Sequence, residues 1–325
     1  MKAVQLIGYG DAVQNLEVHD VAEPPAPSTG EVLIGMEYAP INFNDLMVPW
    51  GVFPWKPQPP ATIGNEGSGV ILAVGQDVTE VAVGDRVVVP PLVDDLPTYQ
   101  QRLIARASDL VVVPAHGDPV QASMLGINAV TAELLLSEYV QWQPGDAVVF
   151  NSATSGLSQW LVVLAKQRGL TTVGVVRQQA DVETVKARGC DVVIVDDEAP
   201  AVTALKIEGL HIPLGLDVLG GPSTNVVASL LSPGAKLVNF GGVARKPMEI
   251  APLTVIGKRL TITGYFQTYP DMQAKGKAAL QKVAALLPTG VTQPVAGIFT
   301  LDRLKEAVSL AQAGKKVVLK LDGAA

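Results

Sequence analysis

Cysteine is almost missing from this chain of 325 residues: Cys190 stands alone. No internal disulfide can form, and such usage suits a reducing compartment. Histidine is scarce as well, with His19, His116 and His211 the three present. None lies at ligand spacing from another or from the cysteine, and a catalytic zinc needs three protein ligands around an open position. Positive charge is in deficit: 24 Lys and Arg against 31 Asp and Glu give a net −7, which argues against a nucleic-acid partner. Long apolar runs are lacking too. Mean hydropathy is +0.30, yet stretches such as Leu161-Val162-Val163-Leu164-Ala165 fall far short of the roughly 20 residues of a spanning helix. The opening MKAVQLIGYG shows no apolar core of a secretory signal. A cytoplasmic protein with no membrane segment is the expectation.

What the chain does have is apolar residues, 48% of the total, spread in short runs. That is the composition of a buried core, as in a parallel sheet covered on both faces. The length suggests two domains, each able to bury its own interior. In the first third, residues 31–37, 68–75 and 84–89 read as short Val- and Ile-rich strands bounded by Gly and Pro. Proline clusters at 24–27 and 54–60 mark loops or edges. Many short strands with little helical periodicity predict a small barrel-like β domain.

The pattern changes near residue 120. Residues 146–150, 172–176, 191–195, 216–219 and 236–240 are near-continuous apolar runs, as strands buried on both faces are. Between them lie helical periods. Leu157, Trp160, Leu161 and Leu164 fall at i, i+3, i+4 and i+7 within 156–168, and helices are also read at 181–188 and 223–231. Alternating β and α predicts a doubly wound parallel sheet. A long helix after 270, a strand at 295–299, a helix at 302–313 and a final strand in KKVVLKL return to the β domain. The expected organisation is 1–118 with 268–325 as the β domain, and 119–267 as the αβ domain.

The first chemical signal is the turn from strand 146–150 into a helix, Asn151-Ser152-Ala153-Thr154-Ser155-Gly156-Leu157-Ser158. A pyrophosphate sits well at such a helix start. Of the three glycines usual there, Gly156 remains, so a plain βα turn with good N-caps stays open beside the phosphate reading. The next strand ends at Arg177, where an acid would bind the ribose 2′-hydroxyl of NAD and an Arg accommodates the 2′-phosphate of NADP. The nearest acid in sequence is Asp181, and NADPH is the cofactor expected. Gly241-Gly242 ends strand 236–240 at the carboxyl edge, where ligands bind. These glycines either let the backbone approach a nicotinamide ring or supply a turn with positive φ.

With these residues in place, the chain resembles the medium-chain dehydrogenase/reductase superfamily. The matching stretches are VGDRVVV (83–89), IGNEGSGVILAVG (63–75) and the Gly156 turn. Within it, INFND (41–45), LGINAVTA (125–132), QPGDAVV (143–149), VVR (175–177), FGGVA (240–244) and GYFQTY (264–269) are similar to the zinc-free 2-enoyl thioester reductases, over nearly the whole chain. The resemblance implies a GroES-like catalytic domain plus a Rossmann domain, usually a homodimer, with NADPH as hydride donor. It also implies cofactor contacts. Asn128 and Thr131 would face the nicotinamide. Thr154, Ser155, Gly156 and Leu157 would hold the diphosphate, and Arg177 and Gln178 the 2′-phosphate. Phe240, Gly241, Gly242 and Val243 would line the nicotinamide, with Tyr265, Phe266 and Gln267 covering it and Lys316 nearby. No zinc ligand set is present.

One departure concerns the chemistry. The family's proton-donating Tyr aligns with Phe53, in Gly51-Val52-Phe53-Pro54, and Phe43 replaces a family proline. Reducing an α,β-unsaturated carbonyl needs hydride at the β-carbon and a proton at the α-carbon, and a positioned acid adds about 10²–10⁴-fold in rate. Tyr99, Tyr269 or water held by Asn44 are the substitutes to weigh, each Tyr against plain packing with its hydroxyl on backbone or solvent. Asp45 reads as a cap of backbone N–H groups. Asn44, Trp50 and Phe53, with Trp55, form a candidate substrate wall, or else the packing of a long loop. Three functions follow: reduction of enoyl thioesters or related enones, reduction of quinones, and NADPH binding without catalysis.

Overall fold

The structure is a computed structural model, and it describes residues 1–91 and 96–324. By contacts the chain divides into two units, Met1–Val130 with Gln273–Ala325, and Thr131–Met272.

The first unit opens with β1 (Lys2–Leu6), α1 (Ala12–Asn15) and β2 (Leu16–Asp20), then the long β3 (Glu31–Ile41), the short helix α2 (Phe43–Met47) and β4 (Ala61–Thr62). There follow β5 (Gly67–Val74), β6 (Arg86–Val89), β7 (Arg102–Arg106), β8 (Val111–Val112) and α3 (Pro119–Ala122). Strand β6 begins two residues later than 84, because Gly84 takes a φ of 95° and Asp85 N–H donates to Ala82 in a turn. Strands β1 and β2, a hairpin-like pair unread in the sequence, join β4 in a three-stranded sheet. After Ala122 comes one π-helical stretch, Leu125–Ala129, the local winding that often marks a functional segment.

The second unit begins within α4 (Val130–Ser137) and continues with β9 (Asp146–Phe150), α5 (Gly156–Gln167), β10 (Thr171–Val176), α6 (Val182–Ala187), β11 (Val192–Val195) and α7 (Pro200–Lys206). It ends with β12 (His211–Asp217), α8 (Ser223–Leu230), β13 (Lys236–Asn239), α9 (Pro252–Lys258) and β14 (Thr261–Gly264). Its six strands are all parallel, in the order β11-β10-β9-β12-β13-β14, which is the doubly wound dinucleotide-binding order 3-2-1-4-5-6. The expected strand at 216–219 is displaced. Pairing runs from His211 to Asp217, while the N–H groups of Val218 and Leu219 are taken by the side chains of Asn151 and Asp217. Helices α7 and α9 and strand β14 went unread. β14 is exposed at Thr261, Ile262 and Gly264, so it lacks the apolar run by which its neighbours are recognised.

The chain returns to the first unit through α10 (Pro270–Ala284), β15 (Gly297–Thr300), α11 (Leu304–Gln312) and β16 (Val317–Lys320). There β15 and β16 extend the sheet β15-β16-β3-β5-β6-β8, with β7 also paired to β3. Each unit has its own apolar core. Ile34, Met36, Ile71, Val87 and Leu319 belong to the first and Val149, Val173, Ile194, Ile212 and Leu237 to the second.

Candidate functional site

In the second unit, β9 is buried along its whole length and delivers Asn151 to the carboxyl edge of the sheet. The turn that follows is held tightly. Ser152 takes a φ of 54°, and Ala153 N–H donates to Val175 at 3.2 Å. Gly174 makes this approach possible, since a Cβ on it would lie 2.8 Å from that of Ala153. Ser155 caps α5, its Oγ accepting from Ser158 N–H at 3.2 Å. Helix geometry leaves the N–H groups of Gly156 and Leu157 without intrahelical partners, and both residues are half-buried while Thr154 is exposed. A twelve-residue helix thus presents the positive end of its dipole at an accessible, small-residue turn. Sequence reasoning missed Arg188, whose Nη1 donates to the Thr154 carbonyl at 2.8 Å. It follows α6 with no local pattern to flag it.

Arg177 and Gln178 are exposed directly after β10. A second acid, Asp196, also comes to this strand end: its backbone N–H donates to the Val176 carbonyl at 2.8 Å. Burial pushes its carboxyl up, and the charge of Arg177 draws it back.

The loop 240–243 is organised by Asp217, which is fully buried. Five donors converge on its carboxylate. They are Asn151 Nδ2 at 2.6 Å, Thr224 Oγ1 at 2.8 Å, Asn239 Nδ2 at 3.0 Å, and the N–H groups of Gly220 and Leu219 at 3.0 and 3.1 Å. Asn239 also donates to Gly241, and Val243 N–H to Val218. Asp217 thereby ties the ends of β9, β12 and β13 to the glycine loop. Only its place at the end of an apolar run signalled this in the sequence. Gly241 is required by closeness, not by a positive φ: a Cβ there would meet Val218 Cγ2 at 2.7 Å. At Gly242, in contrast, a Cβ would meet nothing within 4 Å, which leaves open space at the sheet edge. Phe240 is half-buried and Val243 exposed.

Thr131, Tyr265 and Gln267 are buried together. Thr131 Oγ1 donates to Gln267 Oε1 at 3.2 Å, and the Tyr265 hydroxyl reaches Thr131 Oγ1 at 3.5 Å. Burial raises the Tyr265 hydroxyl's affinity for its proton. Phe266 packs edge-on against Tyr269, centroids 5.6 Å apart, and Tyr269 is largely exposed.

The first unit holds the remaining expected residues. Asn128, on the π-helical stretch, donates to Gln293 Oε1 at 2.7 Å. Lys316 joins a buried polar cluster on α2 and the start of β5. Asn42 is its bridge: its N–H donates to Asp45 Oδ2 at 2.7 Å, its Nδ2 to Glu66 Oε1 at 2.9 Å, and its Oδ1 accepts from Lys316 Nζ. Asn65 Nδ2 donates to Asp45 Oδ1 at 2.6 Å, and Ile127 N–H to Glu66 Oε2 at 2.8 Å. Asp45 is thus the N3 cap of α2. Burial pushes the Glu66 carboxyl up to about 7, with Lys316 drawing it down, and pushes Asp45 up as well. Burial lowers Lys316. Glu66 and Asn42 were not singled out in the sequence, although GNEG and INFND contain them.

The candidate proton donors fare differently. Tyr99 is buried, and its hydroxyl donates to the Pro40 carbonyl at 2.8 Å. That corrects its reading as an available acid, because its proton is already committed inside the core. Asn44 has a buried Oδ1 with no hydrogen-bond partner, so its amide can still accept one bond. Trp50 and Phe53 are half-buried and pack against the first unit's core, Trp50 edge-on to Phe43 at 5.7 Å. Trp55 is more exposed.

Comparison with known proteins follows this division. The profile of the alcohol dehydrogenase GroES-like domain matches residues 28–133, and that of the zinc-binding dehydrogenase family residues 156–285. The mitochondrial enoyl-[acyl-carrier-protein] reductase of Rattus norvegicus is 30% identical over 272 residues, 82% of this chain and 72% of that protein. Among solved structures, Etr1p of Candida tropicalis in complex with NADP and crotonyl-CoA has a TM-score of 0.82 at 20% identity, covering 98% of this chain and 99% of that one. A Bacillus thuringiensis protein described as an NADPH:quinone reductase has a TM-score of 0.85 at 22% identity, covering 98% of each chain. At these identities the two structures speak for the fold.

Among the described residues the zinc in one family name has no fitting donor set. Among the described residues no group of three or more His, Cys, Asp or Glu could hold a metal ion, and Asn42 and Asn65 have their amide groups on the two carboxylates. From the profiles, the relatives and the two-unit architecture together, the chain belongs to the medium-chain dehydrogenase/reductase superfamily of oxidoreductases, among its enoyl reductase-like members.

Proposed function

We propose that the chain reduces the C=C bond of 2-enoyl thioesters, or related enones, with NADPH and without a metal. The observation that carries this reading is the likeness to enoyl-[acyl-carrier-protein] reductases over four-fifths of the chain. The cofactor part is supported by the accessible start of α5 and by Arg177 and Gln178 exposed after β10. In this reading Thr154, Ser155, Gly156 and Leu157 bind the diphosphate and Arg177 with Gln178 the 2′-phosphate. Thr131, Phe240, Gly241, Gly242, Val243, Tyr265, Phe266 and Gln267 bind the nicotinamide end. The bound cofactor supplies the hydride. Asn44, Trp50 and Phe53 contact the acyl substrate, and Asn44 Oδ1 holds a water or a substrate N–H. NADPH turnover with crotonyl-CoA, a simple enone and a quinone tests the reading. Oxidation with crotonyl-CoA well above the quinone rate is the expected result.

Quinone reduction is the second reading, and Phe53 favours it, since a quinone takes hydride without a dedicated tyrosine. Binding of NADPH with no turnover on any acceptor would instead leave a non-catalytic NADPH-binding protein.

The chain is further proposed to form a homodimer through β14. This strand ends the sheet, an edge that invites pairing with a second copy about a two-fold axis. On α9, the helix that precedes it in the chain, Leu253 and Ile256 are 80% and 69% exposed. Light scattering should give twice the chain mass for the wild type and a monomer for Ile262→Lys with Leu253→Asp. A monomeric wild type would exclude the pairing.

A further inference from the structure

The cofactor reading gives the 2′-phosphate of NADPH to Arg177 and Gln178, which between them supply one positive charge. A phosphate monoester carries about −1.5 to −2 at pH 7. Arg177 also faces the carboxyl of Asp196, whose backbone pairs with the same strand end, so part of its charge is already answered. The balance at this corner of the second unit calls for another cation.

Arg188 comes to the same corner. Its Nη1 donates to the Thr154 carbonyl at 2.8 Å. Thr154 follows Ala153, whose N–H donates to the Val175 carbonyl two residues before Arg177. The approach is close: a Cβ on Gly174 would lie 2.8 Å from the Ala153 Cβ and 3.0 Å from Cys190 Sγ. The turn after β9, the end of β10 and the residues after α6 therefore meet around Gly174, all within one unit. The backbone of Arg188 is fixed on both sides. Its N–H donates to the Thr184 carbonyl at 3.2 Å, and its carbonyl accepts from Gln159 Nε2 on α5 at 3.2 Å.

The charge of Arg188 is not answered in the same way. A guanidinium offers five N–H donors in a rigid fork, and Thr154 takes one. Among the described residues neither Arg188 nor Arg177 is in an ion pair, whereas Lys186, two residues before Arg188, pairs with Glu183 at 3.1 Å. The chain carries a net charge of −7, so acids to pair with are not scarce. A half-buried arginine with a fixed backbone, one anchored N–H and an unanswered charge is arranged for an anion arriving from solution.

Resting on the NADPH part of the proposed function, we propose that Arg188 is a second hold on the 2′-phosphate and so helps determine cofactor specificity, with the Thr154 carbonyl setting its guanidinium beside the site of Arg177. The phosphate then meets two guanidinium groups, enough to answer its own charge and that of Asp196 in larger part.

Isothermal titration of the full chain with NADPH and NADH, and with adenosine 2′,5′-bisphosphate and adenosine 5′-phosphate, tests this, because the two ligands of each pair differ by the 2′-phosphate alone. Arg188→Met keeps an apolar stem and removes the charge. It should weaken NADPH and the bisphosphate by roughly ten- to a hundredfold and leave NADH and adenosine 5′-phosphate nearly unchanged. Arg188→Lys keeps the charge without the fork and should lose a smaller part of the preference. Urea unfolding checks that each variant is folded, and if Arg188→Met is not, Arg188→Lys decides alone. Equal losses within each pair would make Arg188 a prop of the turn or a contact of the diphosphate, and overturn the proposal. A preference for NADPH that the folded variants keep in full overturns it as well. A wild-type chain that binds NADPH and NADH equally overturns the NADPH reading itself.

Discussion

Two buried carboxyls organise the two units, and they are surrounded in different ways. Asp217 receives five donors, all of them neutral N–H or O–H groups, and it connects three strand ends and a loop. Glu66 receives two N–H donors and shares its surroundings with a second carboxyl and an ammonium. A buried carboxylate saturated with donors is an anchor, because every partner would be left unsatisfied without it. One with few donors and a like charge nearby is poised to take up and release a proton. The parallel sheet thus uses its acid to fix shape, whereas the β unit leaves its own with two donors, and burial raises that carboxyl to about 7.

The largest effect expected from this contrast is at Asp217. Removing the carboxylate in Asp217→Ala strands five donors in the interior and should lower the unfolding free energy by about 3–5 kcal/mol, the range for breaking a buried charged network. Asp217→Asn keeps one acceptor and should cost less. Urea unfolding measures both. A loss below about 1 kcal/mol for the alanine variant would mean that Asp217 is not the anchor described.

Glu66 should show itself through pH instead. Its folded carboxyl lies at about 7, above the roughly 4.3 of an unfolded chain. Between those values the folded state binds more protons than the unfolded one, so stability falls as pH rises through that window. The change is at most about 4 kcal/mol, and Asp45, also pushed up by burial, adds to it in the same direction. Glu66→Gln carries no titrating group and should flatten most of the slope. Wild-type stability that rises from about pH 5 to about pH 7 would contradict this.

Arg177 extends the comparison to the surface of the second unit. A charge-assisted pair with a phosphate contributes about 1.5–3 kcal/mol. Arg177→Ala should therefore weaken NADPH binding by roughly ten- to a hundredfold and leave NADH binding nearly unchanged. Fluorescence titration of both cofactors decides it, and equal wild-type affinities would remove the basis for the NADPH preference.

Much of the second unit was legible because a strand buried on both faces writes itself as a continuous apolar run. Val148, Val173, Ile194 and Val238 are all such positions. The turn at 151–156 was legible for its small residues, and Arg177 for its place after a strand. Arg188, Asp217 and Asp196 were not, because each acts through partners far away in sequence, such as Asn239 for Asp217 at a separation of 22 residues. The polar cluster of the first unit was hidden for the same reason. Lys316 lies 274 residues from Asn42, and no local period marks a pair of that kind. Tyr99 misled because a tyrosine in a Pro-flanked loop suggests exposure, whereas Tyr99 N–H pairs with Ile63 and the ring is carried into the core.

The smallest effect on stability is expected at Phe53, which aligns with the proton-donating tyrosine of the family. Phe53→Tyr adds one hydroxyl to a half-buried ring packed on the core. If the hydroxyl faces solvent or substrate, the fold should be nearly unaffected, whereas burial without a partner would cost about 1–3 kcal/mol. In the enoyl-reductase reading the new hydroxyl stands where the family carries its acid, so kcat on crotonyl-CoA should rise toward the roughly 10²–10⁴-fold that a positioned acid adds. Quinone reduction should not respond, since its hydride step does not wait for that proton. An unchanged kcat on crotonyl-CoA would weaken the thioester reading and promote the quinone one.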